Sequence, residues 1–278
     1  MVKANYMPTS LPEALGLMAE EELIPYAGGT DLMVSEAPGR DFLFLERIPE
    51  LTQISQDDQY LHIGAAVTFR NILASDLTPA LLREAAASIA APAIRNTATL
   101  GGNIANASPK GDGALICWAA DAQLVLAAAS GQRTVDIADF YQGRGTTIRR
   151  ADELLVEILL PKRWLAGASF CKVGARKALA ISRVSFAGLF AAESGQIAHL
   201  AVALGAVADT VVRRPKIDAM LIGKTFSEAK AALPDYLQAW QAAIQPIRGR
   251  VSAEYRKLVC LNLIEDFLVE RLSSAHNG

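Results

Sequence analysis

Two glycine pairs carry the chemistry this sequence can offer: Gly28-Gly29 in "YAGGTDLM" and Gly101-Gly102 in "TLGGNIANASPKGD". Glycine makes up 20 of the 278 residues, an ordinary share, so the pairs by themselves say little. Their context says more. Each follows an apolar stretch and is followed at once by polar residues, Thr30-Asp31 in the first case and Asn103 in the second. Glycine permits positive φ and lets a ligand approach the main chain. Successive free N–H groups in such turns form concavities that hold anions. Two of them suit the two phosphates of a dinucleotide; two plain turns are the alternative. Asp112 ends the second stretch before an apolar helix, where it is either an N-cap or an acceptor for ribose hydroxyls. Lys172, in "SFCKVGARK", lies in an otherwise apolar strand. It is either a solvated strand face or, with Arg176 and Lys177, part of a basic surface that suits a ligand phosphate.

Other chemistries find little to work with. Cys117, Cys171 and Cys260 lie far apart with no CxxC, which excludes an iron–sulfur cluster or zinc site built from local ligands and leaves three reduced, structural thiols. His62, His199 and His276 are equally scattered. "GRGTTI" has Ile148 where a dinucleotide fingerprint needs its third glycine, and "GKT" at 223–225 has Asp218 where a P-loop needs its first.

The elements that must position these residues are legible in outline. "TSLPEALGLMAEE" reads as an amphipathic helix with Ser10 and Glu13 at capping-box spacing. "ELIPY" is a short strand that runs into the first glycine pair. "FLFLERI" and "YLHIGAAVT" are strands, the second with Leu61, Ile63, Ala65 and Val67 in alternation. "TPALLREAAASIA" is a helix opened by Thr78 before Pro79. After the second glycine pair come a helix in "GALICWAADA", a strand "QLVLAAA", a hairpin around Ser130-Gly131 and a strand "ELLVEILLP". From about 169 the pattern changes to a strand, a turn and a long hairpin over Ser194-Gly195, and from Pro215 onward to helices. The sequence thus reads as α+β with a domain boundary near 165–170. Its length allows two domains. Its net charge of −2, with no basic block, argues against nucleic acid as partner. No apolar run reaches the length of a bilayer span, and "MVKANYMPTS" lacks a signal-peptide core, so a cytoplasmic protein is expected.

The segments "YAGGTDLM", "PAIRNTATLGGNIANASPKGD", "ELLVEILLP" and "FCKVGARK" occur in this order, with "IRGRVSAEYRKLVCLNLIEDFL" after them. Over essentially its whole length the chain therefore resembles the FAD-binding (medium) subunit of the molybdenum hydroxylases, the xanthine dehydrogenase and carbon monoxide dehydrogenase family. The resemblance implies a two-part FAD-binding domain of the vanillyl-alcohol-oxidase (PCMH) type over 1–168, with subdomains 1–56 and 57–168. A smaller domain of three antiparallel strands plus a helical bundle would follow over 169–278. It implies a first pyrophosphate loop of Pro25, Tyr26, Ala27, Gly28, Gly29, Thr30, Asp31 and Leu32, and a second of Thr99, Leu100, Gly101, Gly102 and Asn103. By the same matching Asp112 contacts the ribose side, Leu155 lines the flavin pocket and Lys172 reaches the cofactor. The backbone at 99–103 is then bare because FAD phosphates lie on it.

Two departures stand out. Ala180 occupies the place where many relatives carry an acidic residue just before "IA". Thr30 stands where some members of the wider FAD fold carry a flavin-linked histidine, so non-covalent FAD is expected. The implied function is electron transfer: FAD takes electrons from a [2Fe-2S] small subunit, fed by a molybdenum-cofactor large subunit, and passes them to an external acceptor in a heterotrimer or its dimer. The alternatives are a free-standing FAD oxidase or dehydrogenase of the same fold and a flavin-less structural subunit.

Overall fold

Short apolar strands capped by polar turns give this chain two units, Met1–Ser108 with Asp121–Lys162, and Pro109–Ala120 with Arg163–Gly278. The computed structural model describes residues 5–34, 40–176, 179–247, 249 and 251–274. Lys177, and Arg248 and Arg250 of the C-terminal motif, lie outside the described residues.

The first unit opens with β1 (Asn5–Tyr6), α1 (Leu11–Glu20), β2 (Leu23–Tyr26) and β3 (Asp41–Phe44). Ser10 caps α1 by accepting the Glu13 N–H, while the Glu13 carboxylate reaches back to the N–H of Thr9 rather than Ser10. The three strands form a parallel sheet in the order β1-β3-β2. A parallel pair needs a crossover, so the chain must leave the carboxyl end of β2 through a loop, and the first glycine pair lies in it.

Next come β4 (Ile54–Gln56), β5 (Tyr60–Gly64), α2 (Phe69–Ala74), α3 (Ala80–Ser88), α4 (Pro92–Arg95) and α5 (Leu100–Ala105). Helix α3 starts one residue later than Thr78-Pro79 suggests, with Pro79 as its cap. The chain then lends α6 (Asp112–Ala119) to the second unit and returns with β6 (Gln123–Ala128), β7 (Gly131–Asp136), α7 (Ile137–Phe140), β8 (Tyr141–Gly143), β9 (Thr146–Thr147) and β10 (Leu154–Pro161). Five of these strands make an antiparallel sheet, β4-β5-β10-β6-β7. Strand β10 is its centre, and a bulge between Leu155 and Glu157 interrupts its register with β6. Ala14 and Met18 of α1 pack with Leu43, Leu51, Val125 and Val156 in one core.

The second unit adds β11 (Ala168–Val173), β12 (Val184–Glu193), β13 (Gln196–Gly205), β14 (Val212–Arg213), α8 (Pro215–Asp218), α9 (Phe226–Ala243) and α10 (Ala253–Ser274). Its sheet is antiparallel in chain order, three long strands and the two-residue β14. Phe186, Val202 and Leu204 of the sheet pack against Tyr236 and Trp240 of α9 and Ile264 and Phe267 of α10. Helix α6 is buried along its whole length and packs on β12 and β13. Burial pushes the Cys117 thiol within it up to about 12, and Cys260 of α10 likewise. Among the described residues no helix is long and apolar enough to cross a membrane.

Candidate functional site

In the first unit the two glycine segments come together. Gly28 lies so close to the segment before Thr99 that a Cβ there would run into the Thr97 carbonyl and Ala98 Cα. At the other end of the loop, Asn106 Nδ2 donates to Asp31 Oδ2 at 2.6 Å. Gly29 has φ +66°, the left-handed region that favours glycine, and Tyr26 folds its ring over the space a side chain would take. That ring is braced by Phe42 and Phe44, with centroids 5.7 and 4.6 Å away. The turn closes through Met33 N–H to Gly29 C=O (2.9 Å) and Val34 N–H to Asp31 C=O (3.1 Å). The N–H groups of Gly28, Gly29, Thr30 and Asp31 donate to nothing among the described residues. Four successive unengaged donors at the carboxyl end of a parallel strand are what an anion-holding turn requires.

The second segment is built differently. Residues 99–103 are not a bare turn but a capped helix start. Thr99 is the N-cap of α5, and its Oγ1 accepts the Gly102 N–H at 3.0 Å. Leu100 N–H donates to Val67 C=O and Gly101 N–H to Ala65 C=O, at 3.0 and 3.1 Å, and Asn103 N–H donates to Thr99 C=O at 3.0 Å. All four donors are engaged, so the expected row of free N–H groups is absent from this segment. The docking runs back to the bulge in β10: Val156 C=O accepts the Ala65 N–H at 3.0 Å, and Ala65 accepts Gly101. A Cβ on Gly101 would collide with Ala65, so that glycine is needed for packing. Gly102 is exposed, and a Cβ there would meet only Thr99 Oγ1, at 2.9 Å. The protein's own packing explains its lack of a side chain least. Leu155 lies beside the bulge and is buried, 6% exposed.

The second unit holds Asp112 and Lys172, and it joins them. Lys172 Nζ lies 2.7 Å from Asp112 Oδ2, with the lysine side chain 14% and the aspartate side chain 4% exposed. Neither the N-cap nor the solvated strand face is what the structure holds. Gly111, not Asp112, is the N-cap of α6, with no side-chain cap bond, and Asp112 is the first helical residue. Lys172 does not present a solvated face but ends in an ion pair. A carboxylate is favoured at a helix N-terminus, and burial of the pair is tolerable only because both charges are matched. Sequence reasoning missed the third member. Ser182 Oγ donates to Asp112 Oδ1 at 2.8 Å, and Ser182 is 3% exposed. No spacing signal links positions 70 residues apart.

Comparison with known proteins places this geometry in context. The family model described as "FAD binding domain in molybdopterin dehydrogenase" matches residues 2–163, and that of the "CO dehydrogenase flavoprotein C-terminal domain" matches residues 169–271. The nicotinate dehydrogenase FAD-subunit of Eubacterium barkeri is 28% identical, over 98% of this chain and 97% of the relative. The xanthine dehydrogenase FAD-binding subunit of Escherichia coli O157:H7 is 30% identical, over 96% of this chain and 93% of its own length. Among solved structures, a chain of the reconstituted CO dehydrogenase from Oligotropha carboxidovorans superposes with a TM-score of 0.88 at 26% identity, covering 99% of this chain and 98% of that one.

Proposed function

Because the chain belongs to the FAD-binding (medium) subunits of the molybdenum hydroxylase family, we propose that it works as the electron-transfer component of such an enzyme. It receives electrons from a [2Fe-2S] partner subunit served by a molybdenum-cofactor subunit, and passes them to an external acceptor. FAD, when bound, supplies chemistry that couples one-electron and two-electron carriers, while the protein supplies binding and orientation. The observation that carries the reading is the Gly28–Asp31 turn, with four N–H groups engaged by nothing among the described residues, inside the segment matched by the FAD-binding family.

In this reading the chain's own residues take distinct roles. Gly28, Gly29, Thr30 and Asp31 offer main-chain N–H groups to the pyrophosphate, and Pro25, Tyr26, Ala27 and Leu32 shape the turn around them. The Asn106–Asp31 bond holds the far side of that turn. The N–H groups of Leu100, Gly101, Gly102 and Asn103 are taken by Val67, Ala65 and Thr99, so this segment contributes by close approach over Gly102 and through the Asn103 side chain rather than by a second row of donors. Asp112 accepts from ribose hydroxyls, Lys172 reaches the cofactor beside Asp112, with which it is paired, and Leu155 contributes apolar contact to the flavin. With Thr30 in the first turn and no histidine there, the cofactor is held without a covalent bond.

The visible absorption spectrum of the purified chain, alone and after incubation with FAD, tests this directly. The expected result is a flavin spectrum whose cofactor is released by acid or heat. In the complex with its partner subunits, the flavin should be reduced by the organic substrate of the assembled enzyme. A chain that stays colourless with FAD, both alone and with its partners, refutes the reading. Flavin reduction by a small-molecule substrate with no partner present would favour the free-standing oxidase or dehydrogenase instead.

A further inference from the structure

We infer that Ser182 is a positioning residue for the cofactor: it fixes the orientation in which Asp112 presents its carboxylate. The inference rests on the reading that Asp112 takes part in FAD binding. A carboxylate on a two-torsion side chain can swing about its terminal bond, which is a soft rotor. In this protein it cannot swing freely, because both oxygens are tied. Lys172 Nζ holds Oδ2 at 2.7 Å and Ser182 Oγ holds Oδ1 at 2.8 Å. Each carboxylate oxygen has two acceptor positions, so two ties leave acceptor capacity on each oxygen and aim it in a set direction. An acceptor aimed before the ligand arrives binds more tightly than one that must be ordered on binding.

The surroundings give Ser182 the rigidity this task needs. Immediately after it, Arg183 N–H donates to Val173 C=O at 2.8 Å and restarts the ladder between β11 and β12. Lys172, on β11 of the same ladder, is opposite Ser185. One tie to Asp112 therefore comes from β11 and the other from the end of the connector that leads into β12. The neighbours of Ser182 do not share its burial. Ile181 is 68% exposed and Leu179 54%, whereas Ser182 is 3% exposed. The connector turns this one hydroxyl inward while Leu179 and Ile181 before it stay exposed. Serine is mostly a surface residue, and here its hydroxyl has a charged acceptor.

The test is FAD affinity of the full-length chain, stripped of flavin and titrated with FAD by fluorescence quenching, for the wild type, Ser182→Ala and Ser182→Thr. Thermal melts of the same flavin-free proteins run beside it. Loss of a hydrogen bond to a charged group predicts binding about ten-fold weaker in Ser182→Ala. Ser182→Thr, which keeps the hydroxyl, should return it to within about two-fold of wild type, while the flavin-free melting temperatures stay close together. In an Asp112→Asn background, Ser182→Ala should add little, because the group it positions is gone. A Ser182→Ala protein that binds FAD like the wild type overturns the inference alone, and a lowered melting temperature with unchanged affinity does the same by reducing Ser182 to a strut. A Ser182→Thr protein as weak as Ser182→Ala also counts against it. A wild-type chain that takes up no FAD removes the underlying reading and this inference together.

Discussion

Replacing Gly102 by alanine separates a glycine kept for the fold from one kept for a ligand. Gly102 is the third residue of α5 and is exposed. An exposed helical Gly→Ala change ordinarily stabilises by about 1 kcal/mol. Here the new methyl meets Thr99 Oγ1 at 2.9 Å, so the N-cap hydroxyl must yield by a few tenths of an ångström. That cap contributes about 0.5–2 kcal/mol in total, and only part of it is at risk. The two terms oppose each other, so the flavin-free protein should keep its stability to within about 1 kcal/mol. Gly28→Ala makes the contrast, because its methyl strikes the Thr97 carbonyl and Ala98 Cα, backbone that cannot move aside cheaply. It should cost about 1–3 kcal/mol without any ligand. Against FAD the Gly102 methyl displaces whatever group lies on the bare Cα, and loss of a contact to a charged group weakens binding about ten- to a hundredfold. Gly102→Val, with a branched Cβ, should abolish FAD retention. Urea melts of the flavin-free variants and FAD titrations decide the matter. A Gly102→Ala protein with wild-type affinity, or a Gly102→Val protein purified with full flavin, would refute the assignment of this segment to the cofactor.

Asp112→Ala should do two things at once. It should weaken FAD by about 1–3 kcal/mol, and it should lower the stability of the flavin-free protein by about 3 kcal/mol, because Lys172 loses its buried partner. An unchanged urea midpoint would show that the pair carries no structural load. His199 gives a pH signature in the second unit: burial first, then the positive charges of Arg213 and Arg163, holds it down to about 4. Its folded value lies below the unfolded value near 6.5, so its contribution to stability is present above pH 6.5 and lost as pH falls toward 4. The full span is about 3 kcal/mol. His199→Phe leaves an aromatic ring beside Trp164, on which His199 stacks at 5.5 Å, and should lose less stability than the wild type between pH 7 and 4; parallel slopes would overturn the assignment.

What could be read from the sequence was local. The apolar run Leu23–Tyr26 before Gly28-Gly29 announced a strand and a turn, and both are there. The alternation around Leu61 and Ile63 and the hairpin over Ser194-Gly195 likewise depend on neighbours within a few residues. Gly101-Gly102 gave the same local signal and folded into a helix. Docking of Leu100 and Gly101 onto the carbonyls of Val67 and Ala65 outweighed the weak propensity of two glycines. Asp112 looked like a cap because aspartate before an apolar helix usually is one. What it meets, Lys172 and Ser182, is set by strand pairing in a sheet that begins well after it in the chain. Polar partners at that separation leave no periodic trace in a single sequence.

The burial of α6 in the second unit also constrains the order in which this protein can be made. During synthesis α6 leaves the ribosome before any strand of the sheet that will cover it, and its eight residues are all buried in the finished fold. Until β12 and β13 arrive, the nascent chain must carry an apolar helix that its own unit cannot yet shelter, the kind of transient exposure that chaperones intercept. For the same reason, cutting the gene at Arg163 would part α6 from the β12–β13 sheet it packs on.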